Sequence, residues 1–279
     1  MTRTVTTVTA LRAALETRRS GSIGMVPTMG ALHHGHLSLV KEARKDAETV
    51  LVSIFVNPTQ FAPTEDFGAY PRTLDQDLAK LSGQADIVFT PSAKEMYPDG
   101  FATSITVGGP ALGLESDFRP HFFGGVATVV ARLLIAAEPD LAVFGEKDYQ
   151  QLLVVKQLVR DLALPVEIMA APTLREADGL AMSSRNAYLS AEERQVAGQL
   201  NLVLKQAVAA ARGNGDLRAV EGAAVEALWK AGFSQVDYVA IRDAATLDHI
   251  TNLERPARIL AAAKIGKTRL IDNMSVAAR

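Results

Sequence analysis

Apolar and polar positions change rhythm along the chain. Short, nearly unbroken apolar runs at 22–28 (SIGMVPT), 50–56 (VLVSIFV), 86–90 (DIVFT), 140–145 (DLAVFG) and 165–170 (PVEIMA) read as strands covered on both faces. Between them lie stretches of helical period: HLSLVKEARKDA from His36, TLDQDLAKLSG (73–83), GVATVVARLLIAA (125–137) and DYQQLLVVKQLVRDL (148–162). Strand and helix in steady alternation imply right-handed crossovers and a doubly wound parallel sheet. After SSRNAYLS (183–190) the rhythm changes. One long helix is predicted from about 191 to 212, broken by GNG at 213–215, and a second over 217–231, ending at Gly232. Two strands follow, VDYVAI (236–241) and ARILAAAKIG (257–266), with no long helix between them. The division predicted is an α/β domain over 1–186 and a smaller α+β domain over 187–279.

Composition narrows the class without naming a function. The 279 residues are 48% hydrophobic and 22% charged, with a net charge of −2. There is no basic excess to draw nucleic acid or an acidic surface. The absence of cysteine excludes disulfides and thiolate metal sites and fits a reducing cytosol. The N-terminal stretch lacks the continuous apolar core of an export signal. The most apolar helical run, VATVVARLLIAA (126–137), is too short to span a bilayer and carries Arg132. No repeat or low-complexity segment appears. A soluble cytoplasmic protein with no membrane or nucleic-acid partner is expected.

Candidate chemistry gathers behind the strands, where open α/β sheets bind ligands. PTMGALHHGH (27–36) follows the first strand and holds three of the five histidines. Gly30 and Gly35 permit close backbone approach, and the free N–H groups of a helix start favour phosphate. His33 and His36 share a helix face, suited to donating hydrogen bonds to charge developing in nucleotidyl transfer. The same spacing also fits helix caps or surface histidines, and it lacks the glutamate of an H-E-x-x-H metal site. Asn57 and Gln60 follow the second strand, Lys147, Asp148 and Gln151 the strand at 140–145, and Ser183, Ser184 and Arg185 lie on a glycine-containing loop at 176–186. Each alone is better read as a loop amide, a surface ion pair or a cap. Four clusters behind strands of one sheet favour a shared site. No Walker pattern, G-x-S-x-G or cysteine nucleophile is present, which points to in-line attack on a nucleotide phosphate.

VPTMGALHHGH, VSIFVNPTQF, YPRTLDQDL, FGEKDYQQL, DGLAMSSRN and the terminal KTRLIDN together resemble the pantoate–β-alanine ligase family of the nucleotidyltransferase superfamily, nearly end to end. The resemblance implies a Rossmann-like N-terminal domain, a smaller C-terminal domain and a homodimer. It also implies the reaction: ATP and (R)-pantoate give pantoyl adenylate and pyrophosphate, and β-alanine then displaces AMP. The motif at His33 is similar to the superfamily's HIGH signature, and MSSR to its KMSKS loop. By position, Met29, Gly30, Ala31, Leu32, His33, His34, Gly35, His36, Gly145, Glu146, Lys147, Asp148, Leu174, Met182, Ser183, Ser184 and Arg185 bind ATP. His36 and His33, with Lys147 and Arg185, carry the catalysis. Gln60 contacts pantoate and β-alanine and Gln151 pantoate, with Asn57 grouped beside them.

Magnesium is implied as well, to offset repulsion between the attacking carboxylate and the α-phosphate together with Lys147 and Arg185. Closure of the 176–186 loop and the smaller domain is expected to keep water from the acyl adenylate. The chain departs from the family pattern at His34, where an acidic residue is common. It departs again at Asp75-Gln76, in place of Asp-Asp near the metal, so no protein ligand of magnesium is assigned. In RPHFFGGV (119–126) the histidine comes one position early, and His121 receives no role. The rival readings are a superfamily nucleotidyltransferase with another acceptor and a non-enzymatic nucleotide-sensing or RNA-binding relative, the latter disfavoured by the lack of a basic tail or stripe.

Overall fold

The computed structural model describes residues 2–63, 65–213 and 216–279. Six strands, β1 (Arg3–Val5), β2 (Ile23–Thr28), β3 (Thr49–Ile54), β4 (Ile87–Phe89), β5 (Leu141–Gly145) and β6 (Glu167–Ala171), form one parallel sheet in the order β1-β4-β3-β2-β5-β6. In β2 to β5 the side chains alternate between two buried faces, which is why these strands read as continuous apolar runs. The edge strand β6, expected to be covered on both faces, buries only Ala171. Met25, Leu51, Phe89 and Phe144 pack under α1 (Val8–Glu16), α6 (Phe122–Ala137) and α7 (Tyr149–Asp161). Val26, Val50, Val52 and Val143 pack under α2 (His34–Asp46) and α3 (Leu74–Leu81). Two single-turn helices, α4 (Ala93–Met96) and α5 (Glu115–Phe118), lie in the long connection to α6.

The C-terminal part holds α8 (Ala191–Ala197), α9 (Gln199–Arg212), α10 (Leu217–Ala231) and an antiparallel sheet of β7 (Gln235–Asp243), β8 (Ala257–Ile265) and β9 (Thr268–Val276). Val239, Ile259, Ala261 and Leu270 face α9 and α10. On the opposite face Tyr238, Ala240 and Leu260 meet Leu114 and the α7 residues Tyr149 and Leu153, joining this sheet to the larger one.

Three features differ from the sequence expectation. The single helix predicted over 191–212 is two, interrupted at Gly198, a weak helix former that caps the end of α8 and the start of α9. Gly213 closes α9, while the rest of the GNG break, 214–215, lies outside the described residues. The N-terminal β1 and α1, and the whole of β9, are additions to the predicted elements. β1 is three residues long with only Val5 buried, too short to show a period. β9 buries Asp272 and Asn273 beside Leu270, so polar residues stand where alternation expects apolar ones. Among the described residues no helix is long and apolar enough to cross a membrane.

Candidate active site

From β2 the chain builds β3 and β4 on one side and then returns to place β5 on the other. The crevice at this switch point lies beyond the carboxyl ends of β2 and β5. Residues 29–36 and 146–148 flank it. It opens into a cleft of about 1170 Å³ with walls from both sheets, including His33, His36, Gln60, Lys147, Gln151 and Arg185.

The turn after β2 is fixed by α3. Gly30 and Ala31 both adopt left-handed conformations, with φ of 81° and 49°. The fully buried Asp77 carboxylate accepts the N–H of Ala31 at 2.9 Å and of Leu32 at 2.8 Å. Lys80 Nζ donates to the Leu32 carbonyl at 2.6 Å, and Thr28 Oγ1 accepts the Gly30 N–H at 3.2 Å. Gly30, Ala31 and Leu32 therefore shape the turn while their amides point inward, and Leu32 belongs to the core.

The helix start corrects the expectation of free N–H groups for phosphate. His33 Nδ1 accepts from the Gly35 N–H at 3.1 Å, and His36 Nδ1 accepts from the His33 N–H at 3.3 Å. This is a capping box built from two histidines. The caps and the catalytic candidates are the same residues, so both readings of the spacing apply. Because each Nδ1 is an acceptor, each ring carries its proton on Nε2. Burial, the Lys147 charge and the Lys80 charge lower His33 to about 4; burial, His33 and the same lysines lower His36 to about 3. At neutral pH the pair offers two neutral N–H donors.

Lys147 and Asp148 follow β5 in a single 3-10 turn, with Lys147 Nζ 3.7 Å from the Asp148 carboxylate. Glu146 turns away from the cleft to pair with Arg258 at 3.0 Å. Gln151 lines the cleft, whereas Gln150 is buried, bonded to the Glu115 N–H and to the carbonyls of Pro110 and Gly113. His34 is exposed on α2, and His121 is exposed at the start of α6; neither lines the cleft.

Gln60 sits in a buried polar pocket beside the histidines. Its Oε1 accepts from Asn57 Nδ2 at 3.1 Å and its Nε2 donates to Met29 Sδ at 3.1 Å. Asn57, 1% exposed, also donates to the Gly125 carbonyl and accepts from Tyr97 OH at 2.7 Å. Asn57 thus ties Gln60 to Gly125, Thr59 and Tyr97 while itself lining the cleft. The arrangement requires a glycine at 125, where a Cβ would sit 2.5 Å from the Thr59 carbonyl oxygen.

The 176–186 loop is tied down at several points. Ser184 Oγ donates to the Ala31 carbonyl, and Arg185 makes a bidentate pair with Asp66, both contacts at 3.1 Å. Arg175 is bidentate to Asp272, and Arg194 pairs with Glu176 and Asp178. Leu174, Met182, Ser183 and Gly145 complete the cleft wall. Sequence reasoning missed Asp77, Lys80 and Gly125, and also Glu115, a buried carboxylate that accepts from Arg269 at 2.8 Å and Tyr238 OH at 2.9 Å. Burial first, then the Glu115 charge, pushes the Tyr238 phenol well up. Among the described residues no cluster of three histidines or carboxylates is arranged to hold a metal ion.

The sequence matches the family model described as pantoate-beta-alanine ligase over residues 3–275. A pantothenate synthetase of Mesorhizobium japonicum is 59% identical over 275 residues, covering 98% of this chain and 97% of that one. The crystal structure of pantothenate synthetase from Thermus thermophilus superposes with a TM-score of 0.94 at 48% identity, covering 99% of both chains. A Francisella tularensis pantoate-beta-alanine ligase, crystallised with beta-gamma ATP and beta-alanine, gives 0.82 at 35% identity, covering 98% of this chain and 97% of that one.

Proposed function

The chain belongs to the pantoate–β-alanine ligase family, and from that premise we propose how its cleft performs the ATP-dependent joining of pantoate to β-alanine. The observation that carries the reading is the convergence of His33, His36 and Lys147 on the switch-point crevice, beside the Gln60 pocket. ATP lies along the 29–36 and 145–148 segments, with Leu174 and Met182–Arg185 across the cleft. Pantoate sits against Gln60 and Gln151, with Asn57 aiming Gln60. The pantoate carboxylate attacks the α-phosphate and the bond to pyrophosphate breaks. The two Nε2–H groups and the Lys147 ammonium stabilise the charge that moves onto the leaving group. β-Alanine then attacks the acyl carbon beside Gln60, and AMP leaves.

Magnesium is placed on the ATP phosphates as part of the substrate. Among the cleft-lining carboxylates, Asp66 and Asp148 each stand beside a cation, Arg185 and Lys147, so neither is assigned as a metal ligand. Residues 1–186 form the catalytic unit in this proposal, and 187–279 the lid that excludes water from the adenylate. The working form is a homodimer in the cytoplasm, which sedimentation and fractionation test.

The decisive experiment is incubation with ATP, magnesium, pantoate and β-alanine, followed by product identification. Pantothenate, AMP and pyrophosphate in equal amounts are expected. ADP and phosphate as products, or turnover with another acid in place of pantoate, overturns the reading.

A further inference from the structure

KTRLIDN, at 267–273, has no part in the chemistry above. In the structure it opens β9, and three of its side chains each grip a different part of the cleft wall. Arg269 takes Glu115, Asp272 takes Arg175 at the root of the 176–186 loop, and Asn273 takes the turn that bears Lys147. The third contact has the most direct bearing on reactivity.

Asn273 is 3% exposed and uses its whole side chain. Its Nδ2 donates to two consecutive carbonyls, Glu146 at 2.9 Å and Lys147 at 2.8 Å, and its Oδ1 accepts from Arg258 Nε at 2.6 Å. A flipped amide would set an oxygen against both carbonyls, so its orientation is fixed. Arg258 secures the same turn a second way. It pairs with the Glu146 carboxylate at 3.0 Å and lies over the Tyr149 ring, 3.9 Å from its centroid. The gripped turn needs outside support, being one 3-10 turn of three residues with no side-chain cap. Among the described residues Lys147 has no hydrogen-bonded anchor of its own either. Its nearest carboxylate, Asp148, stands at 3.7 Å, beyond a direct hydrogen bond. What aims the ammonium is the backbone beneath it.

We propose that Asn273, locked by Arg258, is a positioning residue for Lys147, so that the smaller sheet sets the geometry of the adenylation step. The proposal rests on the role given to Lys147 above. Displacing a charged group by about 1 Å can cost on the order of 10²-fold in rate. Residues that act through one another show non-additive losses.

The test is a double-mutant cycle read on the two half-reactions separately. Asn273→Ala is expected to lower pantoate-dependent ATP–pyrophosphate exchange by about tenfold or more. It should leave the conversion of supplied pantoyl adenylate and β-alanine within about threefold of the parent, a split that general loosening would not produce. In a Lys147→Ala background the same change should alter residual exchange by less than about twofold. Equal losses in both half-reactions, or full additivity in the cycle, overturn the proposal. Unimpaired exchange in Lys147→Ala alone defeats the Lys147 assignment and the proposal with it, and is told apart by that single variant. Should Asn273→Ala not fold, Arg258→Met removes the Oδ1 partner and keeps an apolar stem over Tyr149. It must show the same split between half-reactions, and an even loss in both counts against the proposal.

Discussion

His33 and His36 each cap the turn that carries the other, and their ring centroids stand 4.1 Å apart. Burial first, with the Lys147 charge at His33 and the neighbouring His33 at His36, keeps both rings neutral. The turn therefore presents hydrogen-bond donors whose protons stay on Nε2 at the pH where ATP carries full charge. His36→Ala should fold and lose roughly 10²–10³ in turnover, the usual value of one such donor. Near-parental activity in the folded variant removes His36 from the mechanism.

The same neutrality has a consequence for stability. The unfolded chain takes up these two protons near 6.5, whereas the folded chain refuses them until about 4 at His33 and about 3 at His36. Both folded values are depressed, so stability declines as pH drops from 6.5 toward 4, and the rings contribute no slope above about pH 7.5. Each ring adds at most about 1.4 kcal/mol per pH unit within the window. Urea unfolding between pH 4.5 and 7.5 should show a shallower decline in His36→Ala than in the parent. Parallel curves would mean the histidines are not held neutral.

Gln60 is seated by Asn57, which is itself held on the Gly125 carbonyl, and its amide reaches Met29 Sδ at the edge of the 29–36 turn. Gln60→Ala should raise KM for pantoate at least about tenfold, the scale set by losing a charge-assisted hydrogen bond, with little change for ATP. Gly125→Ala tests the seat itself. Its added methyl must displace the Thr59 backbone, which should cost about 1–3 kcal/mol and reproduce the pantoate defect. A change confined to ATP affinity in both variants would relocate the pantoate pocket.

Much of this is legible in the sequence because parallel strands buried on two faces leave apolar runs that nothing polar interrupts. The ligand-facing residues at their carboxyl ends then stand out as polar clusters. What stays hidden are polar residues that work inward over long separations. Asp77 reads as one more charge on an amphipathic helix, yet its carboxylate is 46 residues from the Ala31 amide it accepts. Asn57 reads as a substrate amide and does line the cleft, but position after a strand does not reveal the buried bonds it also makes to Gln60, Gly125 and Tyr97. β9 escapes for the same reason: Asp272 and Asn273 are buried by partners on other elements, Arg175 and the 146–147 turn.

Arg185 supplies the last prediction. Its guanidinium is held by Asp66 in a bidentate pair whose side chains are 30% and 27% exposed. An arginine in that geometry is ordered and ready for a phosphate, but its best hydrogen bonds already go to a carboxylate. ATP must take that place, so part of its binding energy is spent on breaking the pair. Asp66→Asn keeps the size and one acceptor oxygen while removing the competing charge. Titration of ATP without pantoate should then show tighter binding, by about twofold to fivefold, the scale of a partly exposed ion pair. The gain should shrink as salt rises, because screening weakens the native pair as well. If the carboxylate acts through Arg185, then Asp66→Asn must change nothing once Arg185→Ala is in place. Weaker ATP binding in Asp66→Asn would instead make the pair a support that the bound state needs, with Asp66 orienting Arg185 rather than competing for it.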